Sequence, residues 1–587
     1  MDEKKPVKQF VPSGDKKPYN KFGDKKPYGK PAGDKKPYGE KKAFGDKKPY
    51  GKPAGDKPFG DKKPYGKPAG DKPFGDKKPY GKPAGDKPFG DKKPYGKPAG
   101  DKPFGDKKPY GKPAGDKPFG DRKPYGKPAG DKPFGEKKPV PAHNSNARKV
   151  ALEIFQAVVR KDAYASLSLD EKLQKTDLPQ LDKRFCASLV YRTLENLIRI
   201  DYALSFFLKD PEELEPQVRD ILRLSVCQML FHDRIPENAV VDEAVKLTRN
   251  LGLEGLTGLT NAVLRAFIRG KDEIKWPKPE EGAKYLSIMF SVPLWMAEKL
   301  MNAYGPEMAR QICAFRTENH FTTIRPHLMR YTDEEFEALM EKKVWEVEKG
   351  EVPHAFRVRM AAKIGKDHDF LSGNFSIQGE SSMLAAQAMD VKMGMQVLDC
   401  CAAPGGKTAY LAETMKGTGR VYAWDVHDHR VELLRAMARR LHLENVRPAV
   451  RDASILKEDL VSSMDAVLLD APCSGLGVMD NKPDIKFRAE ASAVAALTIT
   501  QEKLLDTCSR YVKKGGTLVY STCSILPEEN GDQVKKFLEN HPEFELAPLP
   551  ASFDEKFKKL YTDTGLQLLP HRDQVEGFFI ARMRRVK

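Results

Sequence analysis

Hydrophobic and polar positions follow three regimes along this 587-residue chain. The first has no apolar periodicity. From Gly45 to Phe134 the unit GDKKPYGKPAGDKPF occurs six times at a period of fifteen, with Arg122 replacing one Lys and no aliphatic side chain larger than Ala. Such a segment cannot bury enough apolar surface to offset chain entropy, so residues 1–142 are expected to be disordered. Gly does not fall at every third position, which excludes collagen. In the second regime, Asn144-Ser145-Asn146 supplies N-cap chemistry, and Ala151, Leu152, Ile154, Phe155, Val158 and Val159 then trace one helical face. Similar stretches at 185–197, 200–208, 218–230, 239–251 and 259–268 predict an all-α domain over 143–272. Residues 283–390 are mixed, with a helix opening at Ser291-Val292-Pro293-Leu294-Trp295, a strand at Thr322-Thr323-Ile324-Arg325, and Phe375-Ser376-Ile377 leading into a helix. In the third regime, 391–587, apolar runs end at Asp399, Asp425, Val450, Asp470 and Tyr520. Helical stretches such as 430–441 and 495–512 separate them, which predicts a parallel sheet. Residues 577–583 read as a late antiparallel strand.

Charge changes the picture only for the first regime. The chain carries +18, yet residues 1–140 alone hold about +20 and leave 141–587 near −2. Each repeat pairs its basic charge with one Tyr and one Phe, a composition suited either to loose single-stranded RNA binding or to an expanded solvated linker. The eight cysteines include no CxxC spacing, so neither a structural zinc site nor a disulfide framework is expected. The opening MDEKKPVK has no apolar core and no run approaches the length of a membrane span. The expectation is a cytoplasmic protein with reduced thiols.

Candidate chemistry centres on Gln396–Asp399 and the turn that follows it, QVLDCCAAPGGKT in full. An apolar run, a Gly-rich turn and a helix start make a nucleotide-binding crevice at the end of a parallel sheet. A phosphate-binding P-loop needs Gly six places before its Lys, where Cys401 stands instead; the dinucleotide pattern G-x-G-x-x-G is also missing. Asp425 closes the next apolar run, twenty residues after Gly405, where a carboxylate would bind ribose hydroxyls. Asp452 follows the third run and could accept from an adenine amino group. An adenosine-type ligand without a pyrophosphate fits, and S-adenosylmethionine is one. Lys407 could pair with a carboxylate of that cofactor, pair with Asp470, or merely begin the helix. Two further motifs, Asp470-Ala471-Pro472-Cys473-Ser474-Gly475 and Ser521-Thr522-Cys523-Ser524, follow successive strands and would bring two thiols to the same crevice. Methyl transfer to carbon 5 of cytosine calls for a thiol, because that carbon becomes nucleophilic only after a thiolate adds at carbon 6. A second group must then help expel the thiol, and spacing alone does not rank the two cysteines.

ARKVALEIF, LVYRTLENL, ILRLSVCQMLFHDRIPENAVVDEAVKL and TNAVLRAFIR resemble a NusB-like RNA-binding domain. CAAPGGKT, DAPCSGLG, Pro483-Asp484-Ile485-Lys486, YSTCSILPEEN and GFFIAR resemble the cytosine-C5 RNA methyltransferases of the NOL1/NOP2/Sun family. With the NusB-like domain, the likeness is to the bacterial RsmB (Sun, Fmu) type. The resemblance implies a small α/β RNA-binding subdomain over 283–390 and a Rossmann-like catalytic domain of class I over 391–587. It implies Cys523 as nucleophile, Cys473 as the group assisting product release, and Asp470 beside the target base. Cys401, Ala402, Ala403, Pro404, Gly405, Gly406, Lys407, Asp425, Asp452 and Asp470 would bind S-adenosylmethionine, and no metal is expected. The implied substrate is 16S rRNA or an immature small ribosomal subunit, met by a monomer. tRNA methylation and a non-catalytic assembly factor are the rivals. One departure stands out: relatives follow the equivalent of Arg325 with Val-Asn, whereas this chain has Pro326-His327.

Overall fold

The computed structural model describes residues 146–161, 163–209, 213–317, 321–359 and 364–587. The repeat segment lies outside the described residues. Asn146 accepts hydrogen bonds from the backbone of Arg148 at 2.8 Å and Lys149 at 3.3 Å and so starts the first helix, Ala147–Lys161. Helices Ala165–Gln174, Gln180–Glu195, Leu197–Leu204, Pro216–Phe231, Glu237–Asn250 and Thr257–Gly270 follow, around a core that includes Phe155, Leu189, Ile221 and Phe267. The expected helix through 200–208 stops at Leu204, where the backbone tightens: Phe206 N and Phe207 N donate to the carbonyls three residues back, Ala203 and Leu204. Helix Ala165–Gln174 escaped the periodicity reading because it buries only Ala165 and Leu169. Cys186 and Cys227 are core thiols, both pushed up to about 12 by burial.

Helices Ala283–Phe290 and Leu294–Ala314 come next; the second breaks at Gly305, whose φ of 76° precedes Pro306. They pack on Leu476, Ile525 and Leu526 of the C-terminal unit. A small antiparallel sheet follows: β1 (Thr322–Pro326), β2 (Glu346–Lys349), β3 (Phe356–Arg359) and β4 (Phe375–Ile377), in the order β2-β3-β1-β4. Phe336 meets Phe356 and Phe375 edge-on beneath it, with ring centroids 5.0 and 6.1 Å apart.

The C-terminal unit is a Rossmann-like sheet of β5 (Gln396–Asp399), β6 (Arg420–Asp425), β7 (Val446–Val450), β8 (Met464–Asp470), β9 (Val512–Thr522), β10 (Phe544–Leu546), β11 (Leu566–Leu568) and β12 (Phe578–Arg585). The order is β10-β12-β9-β8-β5-β6-β7, with β11 on β12; β5 to β9 run parallel and β12 runs antiparallel to β9. Successive residues alternate between two cores. Val397, Ala466 and Leu468 face one side; Leu398, Val467 and Leu469 face the other. β9 runs two residues past the expected end at Tyr520, so Ser521 and Thr522 are still paired strand residues. Chain order reverses between β5 and β8, and ligands bind at such switch points. Among the described residues no helix is long and apolar enough to cross a membrane.

Arg325 ties the small sheet to the catalytic unit. Its guanidinium and the Glu413 carboxylate are both fully buried and meet through two bonds, at 2.6 and 3.0 Å. Nε donates to Gln378 Oε1 at 3.0 Å, and the Tyr410 ring lies 5.1 Å away. His327, at the position where the family pattern has Asn, is buried and contacts the Leu441 carbonyl through Nε2 at 3.1 Å. Removing one partner of a buried pair strands the other charge. Glu413→Leu is therefore expected to cost about 3–5 kcal/mol, read as a lowered denaturation midpoint. The Arg325→Met/Glu413→Leu double variant should recover much of that loss.

Candidate active site

The turn after β5 makes the first wall. Gly405 adopts a φ of 111°, and this left-handed backbone is why the turn requires glycine. Gly406 then opens the helix Gly406–Thr414, whose first turn carries Lys407. Asp399 is buried at the end of β5; Thr408 Oγ1 donates to its Oδ2 at 2.7 Å, while Oδ1 has no hydrogen-bond partner. Burial pushes this carboxyl up to about 7.

The second wall comes from β8 and β9. Their register sets Asp470 opposite Ser521, and Ser521 Oγ donates to Asp470 Oδ1 at 2.8 Å. Lys407 Nζ lies 2.8 Å from Asp470 Oδ2 and 5.1 Å from the Phe578 ring centroid. Burial works against the Lys407 charge, but Asp470 more than offsets it and raises the ammonium above its usual range. Lys407 thus both lies in the first turn of the helix and pairs with Asp470. Beyond the paired residues the two chains diverge into loops that bring Cys473 Sγ and Cys523 Sγ to 3.3 Å. The hydrogen bond from Cys473 holds the Cys523 thiol below the usual range, aided by the Lys407 and Lys482 ammonium groups and opposed by burial and Asp470. Cys473 moves the other way, pushed well up by that same contact, by burial, and by Glu529 and Asp470. The two directions make Cys523 the easier of the pair to ionise.

Glu529 holds both loops; the motif YSTCSILPEEN contains it, but the sequence reading assigned it no role. Its fully buried carboxylate accepts from Ser474 N at 2.8 Å, from the Ser474 and Ser524 hydroxyls, and from Gln501 Nε2 at 3.1 Å. Gln501 also reaches the Pro472 carbonyl at 2.9 Å. These partners lie 28 to 55 residues away, except Ser524. No local spacing could have revealed them.

A cavity of about 370 Å³ opens between the two walls. Cys401, Ala402, Ala403, Pro404, Gly406, Lys407 and Asp470 line it, together with Asp399, Gln378, Asn481, Glu576 and Phe578, which the sequence reading had not placed in a site. Gly405 shapes the turn from behind. Asp425 and Asp452 stand at the ends of the neighbouring strands, outside the cavity wall. Asp425 is buried, pairs with Arg430 at 3.1 Å and accepts from His427 N at 3.1 Å. Asp452 is exposed and accepts from Ser454 N at 2.8 Å. Cys400, Cys508 and Cys313 are buried in packed cores, as expected of thiols with no role in the site. No cluster that could hold a metal occurs among the described residues.

Three carboxylates, against the two ammonium groups of Lys407 and Lys482, line the cavity, a balance that suits a ligand with a positive charge, and Oδ1 of Asp399 is a buried polar atom without a partner. Residues 386–584 match the family model described as 16S rRNA methyltransferase RsmB/F, and residues 145–269 match the NusB family. The chain is 36% identical over 443 residues to the probable ribosomal RNA small subunit methyltransferase B of Bacillus subtilis, covering 75% of this chain and 99% of that one. It is 30% identical over 446 residues to the Synechocystis protein of the same description, again covering 75% and 99%. The crystal structure of PH0851 superposes with a TM-score of 0.64 at 28% identity, over 76% of this chain and all of that one. The chain belongs to the RsmB/F methyltransferase family and is an RNA methyltransferase that uses S-adenosylmethionine.

Proposed function

We propose that the chain methylates carbon 5 of a cytosine in 16S rRNA through a covalent adduct on Cys523. The observation that carries this reading is the pair of thiols 3.3 Å apart beside the cofactor cavity, with the negative charge favoured on Cys523. S-adenosylmethionine, held by residues 401–407 and Asp470, with Asp425 and Asp452 as candidate contacts for any part of it that reaches beyond the cavity wall, would supply an electrophilic methyl carbon and leave as a neutral thioether. Cys523 Sγ adds to carbon 6 of the ring, which makes carbon 5 electron-rich and able to form the new carbon–carbon bond. Carbon 5 then gives its proton to a water molecule acting as base, the electron pair re-forms the double bond between carbons 5 and 6, and the bond from carbon 6 to Cys523 Sγ breaks to release the thiolate. Cys473 assists this release, since its thiol donates to the departing sulfur. Asp470, fixed by Lys407 and Ser521, stands beside the ring and interacts with the charge that develops on it. Splitting one hard step into two is the logic of covalent catalysis.

16S rRNA as substrate, free or within an immature small subunit, is supported by the names of the relatives and by the NusB-family domain. The reading places a monomeric enzyme in the cytoplasm, where that RNA is made.

Cys523→Ala is expected to reduce methyl transfer to background, at least about 10³-fold; retained turnover in a labelled-methyl assay would remove Cys523 from the nucleophile's place. Cys473→Ala should instead accumulate an RNA adduct that survives denaturing electrophoresis. Normal turnover without such an adduct would remove Cys473 from product release. Bisulfite sequencing of cells with and without the gene should show the loss of one protected cytosine in 16S rRNA. A loss confined to tRNA would keep the chemistry and overturn the substrate.

A further inference from the structure

The cofactor cavity does not end at the catalytic unit. It shares Val478, Asn481 and Glu576 with a smaller cavity of about 140 Å³. That one shares Thr317, Phe321, Asp480 and Asn481 with a groove of about 830 Å³. The far wall of the groove belongs to the all-α domain: Tyr191 and Arg192 late in helix Gln180–Glu195, Asn196 just beyond it, and Phe231 at the end of Pro216–Phe231. Asn481 borders all three spaces, which places the groove of the all-α domain next to the cofactor cavity.

The two sides of the groove are fixed to each other. Arg199 N donates to Ser291 Oγ at 3.0 Å, and Phe487, directly after the Pro483-Asp484-Ile485-Lys486 segment, packs against the all-α core. The lining is aromatic, cationic and amide-bearing. Tyr191, Phe231 and Phe321 are half-buried rings, with Arg359 4.7 Å from the centroid of Phe321 and Arg199 5.5 Å from that of Phe231. Arg192 is exposed and makes no ion pair among the described residues. Of the two carboxylates, Asp480 is occupied by the backbone N–H and hydroxyl of Thr317. Burial raises the Glu195 carboxyl, while the nearby Arg316, Lys486 and Arg192 partly counter that effect. Rings offering π-faces beside an unpaired guanidinium are what a strand of unpaired nucleotides needs: stacking for bases, positive charge for phosphates.

We propose that this groove binds the single-stranded nucleotides flanking the target base, with bases stacking on Tyr191 and Phe321 and a phosphate held by Arg192. The proposal rests on the reading of the chain as an RNA methyltransferase and assigns the all-α domain a direct part in presenting substrate. Neither Tyr191 nor Arg192 belongs to the catalytic or cofactor-binding set.

The test uses the full chain and a deproteinised 16S rRNA transcript, with filter binding at several salt concentrations and labelled-methyl kinetics. Tyr191→Ala should weaken binding about tenfold and raise KM in proportion, with kcat at saturating RNA within about twofold of wild type. Tyr191→Phe, which keeps the ring, should retain wild-type affinity, and this separates stacking from damage to the fold. Arg192→Ala should flatten the plot of log affinity against log salt by about 0.7, the value for one phosphate contact on a single strand. If wild type methylates the transcript while both alanine variants keep its affinity and salt slope, the groove is not the RNA path and the enzyme reading stands. If wild type transfers no methyl group to any RNA, both readings fall together.

Discussion

The register between β8 and β9 decides whether this protein has an active site. Asp470 pairs with Ser521, so the third residue after one strand position and the second after the other are both cysteines, at the same edge of the sheet. A slip of one residue would turn Asp470 and Ser521 to opposite faces and separate the thiols. The register is held because both strands are buried on two faces, where each of Val467, Leu468, Leu469, Leu518, Val519 and Tyr520 has a fixed side. Glu529 extends the same constraint past the strand ends. It accepts from both cysteine loops, so the thiol separation does not depend on loop stiffness alone.

Within that frame, electrostatics distinguish two residues that share a side-chain type. Cys523 lies near Lys407 and Lys482, and Cys473 lies near Glu529. Across 3.3 Å these surroundings favour ionisation of Cys523 over Cys473, the asymmetry that the proposed mechanism uses. Lys407 links this asymmetry to the cofactor loop, since one side chain begins the loop's helix, pairs with Asp470 and acts on Cys523.

The small sheet belongs to the same machinery through Arg325. Its bond to Glu413 reaches the helix that begins at the cofactor turn, and its bond to Gln378 holds a side chain of the cavity wall. A buried charge pair tolerates few geometries, so it serves here as a locating pin between two layers.

The sequence by itself determined the element types, because burial on one face or two imposes periods of 3.6 and 2 that survive in the order of apolar residues. The all-α stretch, the parallel strands ending at Asp399, Asp425, Val450 and Asp470, and the glycine turn after β5 were all legible in that way. Motif resemblance also brought Cys473, Cys523, Asp470 and residues 401–407 to one crevice. Only the tertiary structure decided what spans large sequence distances: the 3.3 Å approach of the two thiols, the Glu529 clamp, and the pairing of Lys407. It also placed Asp425 and Asp452 outside the cavity wall and joined the wall to the all-α domain through Asn481. Hydrogen bonds and Coulomb interactions act between groups close in space, and a one-dimensional pattern records which residues are apolar but not which polar ones will meet.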